Sequence, residues 1–338
     1  MCQQIQPTTK HICDHTIDEE SYLIEFEDCG DCGEVKEGPT YLGATTKRDP
    51  CDDCKETVSW VYQIDDEIAL KFPRQKKLRE FVHENSIYDK FESHHSPCPH
   101  IIQSFYRMEV ANFLQFLPHG SLHDRLQSNQ TRDGDRVISV DRFEDRRLSE
   151  RWAAELCAAN AWLEALGVVH GDLRPANMLL DQQNHLKLAD FDSVASIGQK
   201  SLGSASPWAR LRPESKAGGY GLYGPESEQF AIGSMVYYMV RGFEPYGGPE
   251  QNDWAAGVAV DLWKNQQYPD IREDDPLERL ALNCWRGSFV SIHCLKEAVM
   301  DVPGSQDMAE AANWTAEYGL EMRQKCEALL GQVAQSRA

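Results

Sequence analysis

The stretch VVHGDLRPANMLLDQQNHLKLADFDS, residues 168–193, carries Asp172, Asn177 five positions on and Asp190 thirteen beyond that, separated by short apolar runs. Carboxylates and a carboxamide in loops between strand-like segments are oxygen ligands of the kind a hard cation such as Mg²⁺ takes. A second constellation suits a softer metal. Cys29, Cys32, Cys51 and Cys54 form C-x2-C-x18-C-x2-C, a spacing in which each pair can bite one Zn²⁺ with both thiolates. Cys13, flanked by His11 and His15, is a weaker pattern of the same type.

The elements that must position these groups follow from composition and periodicity. With 338 residues, 41% of them hydrophobic, the chain can bury a sizeable core in one large domain or two lobes. A formal charge of −20 argues against a nucleic-acid backbone or an anionic membrane surface as the main partner. The first residues hold no apolar run of signal-peptide type, and the longest apolar stretch, 230–240, is too short to span a bilayer. A cytosolic or nuclear protein is expected. Its eleven cysteines then read as thiols or metal ligands before disulfides, with Cys98, Cys157, Cys284, Cys294 and Cys326 expected as buried packing residues.

Residues 1–38 are polar and poorly periodic. From 39 to about 117, β-rich runs dominate: TYLGATT, VSWVYQID and EIALKFP, the last two joined by a hairpin turn at Asp65 and Asp66. A helix is expected over 76–92, then strands near HIIQSFY and NFLQFL. Residues 118–300 read as mainly helical. Trp152, Leu156, Ala159 and Leu163 recur at helical spacing, and Gly167 supplies a stop; 230–240 reads as a buried central helix. The tail, 301–338, is amphipathic, with Trp314, Leu320, Leu329 and Leu330 as candidates for a docked face. The polar insert 127–145 has no assigned role beyond a surface loop or partner site. The fold class is α+β, a small β-rich lobe followed by a larger helical one.

His170-Gly171-Asp172-Leu173-Arg174-Pro175-Ala176-Asn177 and Asp190-Phe191-Asp192 resemble the catalytic loop and metal-binding segment of eukaryotic-type protein kinases. The resemblance extends to Ala69-Leu70-Lys71, to Glu84 within FVHEN, to the lobe linker 114–122, to Gly224-Pro225-Glu226 and to the helix start after it, covering roughly residues 40 to 300. It implies a two-lobed kinase fold that transfers the γ-phosphoryl group of Mg·ATP to a Ser or Thr hydroxyl of a protein substrate. Asp172 would orient and deprotonate that hydroxyl. Asn177 and Asp190 would hold Mg²⁺, Lys71 paired with Glu84 would grip the phosphates, and Arg174 would neutralise transferring charge. The backbone of the linker, at Gln115 and Leu117, would take adenine, and Gly43 would be what remains of the glycine-rich phosphate loop. In character the chain resembles a divergent, fungal-like member.

Four departures bear on activity. A charged insertion, KRDPCDDCKE, follows the lone Gly43. Asp192 stands for the glycine of D-F-G and is expected to take that glycine's backbone conformation. Glu228 replaces an Asp that braces the catalytic loop. Gly171 replaces the arginine of H-R-D, so no activating phosphate is expected to be needed. The alternative reading is a pseudokinase, a binding or scaffold protein with weak or no turnover.

Overall fold

A computed structural model describes residues 59–73, 78–94, 96–204, 206–211, 219–251, 257–308 and 316–335, with five short strand segments before them. These five are β1 (Gln3–Ile5), β2 (Thr8–Lys10), β3 (Thr16–Asp18), β4 (Tyr22–Ile24) and β5 (Thr45–Thr46). β1 pairs with β4, and β2 with both β3 and β5. Among the described residues no helix is long and apolar enough to cross a membrane. The chain divides into two units, 1–89 with 103–116 and 314–338, and 90–102 with 117–313.

The first unit is built on four antiparallel strands in the order β6-β7-β9-β8, namely β6 (Ser59–Gln63), β7 (Ile68–Pro73), β8 (Ser104–Met108) and β9 (Ala111–Gln115). The expected turn between β6 and β7 is made by Asp65, whose Oδ1 accepts from the backbone N–H groups of Glu67 and Ile68, each at 2.7 Å. Burial of nearly all of IALKFP fits a central strand paired on both sides. Strand alternation gives its two faces different jobs. Ile68, Leu70 and Phe72 join Trp60, Tyr62, Phe105 and Phe113 in an apolar layer, which turns Ala69 and Lys71 to the opposite face.

That apolar layer is completed from far along the chain, by Met322 and Cys326 of the C-terminal helix (Ala316–Gln335). Leu329 and Leu330 pack partly against it as expected, whereas Leu320 is exposed and Trp314 lies outside the described residues. Tyr318 meets Phe105 edge-on at 5.9 Å and Arg323 covers Tyr106 at 5.3 Å. Lys325 reaches Asp65 at 2.8 Å and Glu67 at 2.6 Å. These rim charges fix register more than they stabilise; burial of the apolar stripe holds the helix.

Helix α1 (Leu78–Glu92) buries Phe81, Glu84, Ile87, Tyr88 and Phe91, positions that share one face at helical spacing. Glu84 therefore lies on the buried stripe.

The second unit holds α2 (Leu122–Gln127), the hairpin β10 (Gln130–Asp133) and β11 (Arg136–Val140), α3 (Arg146–Ala165), β12 (Val168–Val169), β13 (Met178–Leu180), β14 (Leu186–Leu188), β15 (Ala195–Ser196), α4 (Pro225–Arg241), α5 (Val258–Lys264), α6 (Pro276–Arg286) and α7 (Ile292–Val299). The polar insert is thus a hairpin. It is tied down by buried Val137 and by Glu144, which pairs with Arg125 at 2.6 Å and accepts from Asn129 at 2.7 Å. Asp145 caps α3 by accepting from the N–H groups of Arg147 and Leu148, so the helix starts ahead of Trp152, the first residue of its apolar pattern. Trp152, Leu156, Ala159 and Leu163 are buried, and α4 is buried almost all round. Cys98, Cys157, Cys284 and Cys326 are buried thiols, but Cys294 is exposed. It sits on the outer turn of α7, where apolar neighbours in sequence point to the other side.

Candidate active site

Asp190 lies thirteen positions beyond Asn177, and one short hairpin closes that distance. β13 and β14 pair antiparallel with Met178 opposite Leu188, so residues just before β13 and just after β14 emerge at the same end. The Ala189 N–H donates to the Asn177 carbonyl at 2.9 Å, leaving Asp190 one residue away. Asp181 closes the far end by accepting from Gln183 and His185 N–H groups.

Asp172 and Asn177 are joined directly. Asn177 Nδ2 donates to the Asp172 carbonyl at 2.8 Å and to its Oδ2 at 3.1 Å. With its amide nitrogen so used, the acceptor left on Asn177 is Oδ1, the atom a cation needs. Arg174 Nε lies 3.1 Å from Asp172 Oδ2. Ser204 Oγ donates to Asp172 Oδ1 at 2.7 Å. Both carboxylate oxygens therefore face donors, one of them a hydroxyl.

His170 holds this loop from within. It is fully buried, and burial pushes its pKa down, the Ala189 carbonyl opposing. The ring is accordingly neutral, with Nε2–H donating to Ala189 at 3.0 Å and Nδ1 accepting the Asp172 N–H at 3.3 Å. Phe191, also fully buried, lies edge-to-face between His170 at 5.3 Å and Phe91 at 5.0 Å. This aromatic stack anchors the segment that carries Asp190 and Asp192. The left-handed residue of that segment is Asp190, at φ 67°, and Asp192 is not among the residues with positive φ. The expectation that Asp192 must adopt a glycine's conformation is thereby corrected: an L-residue fits there without backbone strain.

Glu228 braces the loop from below. Its Oε2 accepts from the His170 N–H at 3.0 Å and the Gly171 N–H at 3.5 Å. Burial pushes its pKa from 4.5 up to about 7, against these donors. The folded chain keeps this proton while the unfolded chain sheds it, so the associated stability is full below about pH 4.5 and lost as pH rises through 7. The wild type should lose up to ~3 kcal/mol more than Glu228→Gln over that window. Denaturant unfolding of both at pH 5, 6 and 7.5 checks this; parallel pH curves would refute it.

In the first unit, Lys71 Nζ sits 2.6 Å from Glu84 Oε2 with both side chains buried. Lys71 stands opposite Asn112 on β9. Further along β9, the Gln115 N–H donates to Gln103 at 2.9 Å and the Phe116 N–H to Glu67 at 2.7 Å. Leu117, buried in the second unit, accepts from Gly120 at 3.2 Å. Gly43, Cys29, Cys32, Cys51, Cys54 and the KRDPCDDCKE insertion lie outside the described residues. Among the described residues no cluster of His, Cys, Asp and Glu could hold a metal ion; the four cysteines of the expected Zn²⁺ site lie outside them.

Sequence reasoning missed Ser204, which sits in the long segment before Gly224 without any spacing signal, and Phe91, whose signal was its place on the apolar stripe of α1. Downstream, Glu226 pairs with Arg210.

A β-rich unit carrying a buried Lys–Glu pair, and a helical unit carrying an Asp–Asn loop beside a second Asp, are the parts of a two-lobed kinase fold. The model of the Protein kinase domain matches residues 61–323, and the chain belongs to that family. It is 30% identical to 3-phosphoinositide-dependent protein kinase B of Dictyostelium discoideum over 190 residues, 52% of this chain and 18% of that protein. To Rho-associated protein kinase 1 of Homo sapiens it is 27% identical over 199 residues, 55% of this chain and 13% of that protein. To serine/threonine-protein kinase MRCK gamma of Mus musculus it is 32% identical over 123 residues, 33% of this chain and 8% of that protein. The chain thus spans less than a fifth of the length of these relatives.

Proposed function

We propose that this chain is an active, divergent serine/threonine-type protein kinase that transfers the γ-phosphoryl group of Mg·ATP to a protein hydroxyl. The observation that carries the reading is the buried Lys71–Glu84 pair at 2.6 Å. Burying two charges costs more than a well-packed apolar pair would, and this one lies on the sheet face turned away from the apolar layer. A phosphate-gripping lysine held in place by a carboxylate accounts for that expense.

In this reading Asp172 orients the acceptor hydroxyl and takes its proton. Asn177 Oδ1 and Asp190 hold Mg²⁺, which when bound neutralises phosphate charge. Arg174, already beside Asp172, stands where it meets transferring charge, and the backbone around Gln115 and Leu117 takes adenine. The acidity of the chain, −20 overall, favours basic partners only weakly, since net charge acts mostly on solubility. The pseudokinase alternative is favoured by the sequence around Gly43, which offers a single glycine where several backbone N–H groups would cover the phosphates.

Calorimetric titration with ATP, with and without Mg²⁺, tests the reading. Binding should require Mg²⁺ and weaken at least tenfold in Lys71→Met. Saturating nucleotide that gives neither heat nor a thermal shift in wild type would leave the scaffold reading standing.

A further inference from the structure

Three residues on neighbouring strands stand in one row on the sheet face that carries Lys71. Lys71 of β7 is opposite Asn112 of β9, and Asn112 is opposite Arg107 of β8. Opposed residues of antiparallel strands hold their Cβ atoms about 5 Å apart on one face. Ser104 shares that face only because β8 is irregular. Its partner is Leu114, whereas Tyr106 already faces Phe113, so Phe105 is an extra residue. Without it, Ser104 and Arg107 would point to opposite sides.

The row is joined by hydrogen bonds whose direction is fixed. Arg107 can only donate: its Nε and Nη2 give to Asp89 Oδ1 of α1 at 3.1 and 2.7 Å, and its Nη1 gives to Ser104 Oγ at 2.9 Å. Ser104, having accepted, gives its own hydrogen to Asn112 Oδ1 at 2.6 Å. The Asn112 carboxamide is thereby turned with its oxygen to Ser104 and its nitrogen away. Asn112 is fully buried, and its Nδ2 has no hydrogen-bond partner among the described residues. A buried amide with unspent N–H groups destabilises a fold, and an apolar side chain would fill the place without that penalty. Across the ladder from it lies the Lys71–Glu84 pair. Helix α1 is thus fixed to the sheet at two points, by Glu84 at Lys71 and by Asp89 at Arg107, with Asn85 Nδ2 donating to the Met108 carbonyl at 3.2 Å.

We propose that Arg107, Ser104 and Asn112 are positioning residues for the Lys71–Glu84 pair: the row fixes α1 and presents the Asn112 amide to Glu84, which takes it when Lys71 turns to the phosphates of the nucleotide. This rests on the kinase reading above and deepens it. Sharing Lys71 with phosphate weakens its hold on Glu84, and a buried carboxylate then needs another donor. The amide supplies one, and Glu84 keeps Lys71 aimed.

The test is titration calorimetry of the full chain with Mg·ATP and with adenosine, which has no phosphate for Lys71 to hold, alongside thermal unfolding. Asn112→Leu is expected to weaken Mg·ATP about tenfold, the scale of one hydrogen bond to a charged group, and to leave adenosine within about twofold. Ser104→Ala/Asn112→Leu removes both partners of a buried hydrogen bond, so it should unfold at or above the wild-type temperature while showing the same loss toward Mg·ATP. Added to Lys71→Met, Asn112→Leu should weaken Mg·ATP by no more than about twofold further, because the group being positioned is gone. Wild-type affinity for Mg·ATP in Asn112→Leu would overturn the proposal and leave the kinase reading intact. Equal losses toward adenosine, a double variant less stable than wild type, or a full loss on top of Lys71→Met would overturn it too, making the row a support of the fold. Wild type that binds no Mg·ATP would remove the kinase reading together with this proposal.

Discussion

Asp172→Asn is expected to lower phosphoryl transfer by ~10²-fold or more, the scale of a lost general base, while leaving Mg·ATP affinity within about twofold. The asparagine is isosteric and can be seated: its oxygen can face the Asn177 amide, which donates to Oδ2 in the wild type, and Arg174, which is ion-paired with it, and its amide can face the Ser204 oxygen. The fold then survives while the proton acceptor disappears. Asp190→Asn should behave differently. Asp190 sits one residue past the Ala189–Asn177 hydrogen bond, so losing its charge weakens the cation site and nucleotide affinity falls only when Mg²⁺ is present. Titration calorimetry and histone phosphorylation on wild type and both variants separate the two roles. Equal transfer by wild type and Asp172→Asn would contradict the assignment.

Restoring the arginine of H-R-D should inactivate the chain rather than improve it. Gly171 has φ 82°, and a Cβ built there lies 2.4 Å from the Ser193 carbonyl oxygen. A left-handed L-residue costs roughly 1–2 kcal/mol, and relieving that overlap must displace either Ser193 or the catalytic loop. Gly171→Arg is expected to lose several kcal/mol of stability, on the order of the larger single-site effects, and most activity. Gly171→Ala should do nearly as much damage, because the conflict begins at Cβ. Thermal unfolding with phosphate-transfer assays measures both. A Gly171→Arg variant that folds normally and becomes dependent on a phosphate in the segment before Gly224 would mean that the loop is more adaptable than this geometry allows.

Much of the site was legible because its parts lie close in sequence or repeat with a period. Asp172, Asn177 and Asp190 announce themselves by spacing around two apolar runs, and those runs are the hairpin that brings Asn177 and Asp190 together. Lys71 and Glu84 were legible through the family resemblance; the structure puts Glu84 on the buried stripe of α1 and Lys71 on the sheet face opposite the apolar layer. The contacts that escaped are between segments distant in sequence, where no period exists to read. The C-terminal helix shows an amphipathic pattern, yet nothing in that pattern says that Met322 and Cys326 will finish the layer begun by Trp60 and Leu70. Ser204 lies 32 residues from Asp172 and only the folded ribbon joins them. The polar insert looked structureless because its hairpin is stabilised by Glu144, Arg125 and Asn129 more than by an apolar face. Asp192 misled for a different reason: the glycine it replaces suggested a left-handed position, whereas that conformation falls on Asp190.

The most direct measurement is transfer of label to a histone mixture from ATP labelled at the γ-phosphate, compared with ATP labelled at the α-phosphate, by purified wild-type chain with and without Mg²⁺. Label from the γ-position alone, on serine or threonine, abolished by chelation and reduced ~10²-fold in Asp172→Asn, is the predicted result. Protein that binds Mg·ATP yet moves no γ-label would contradict the account.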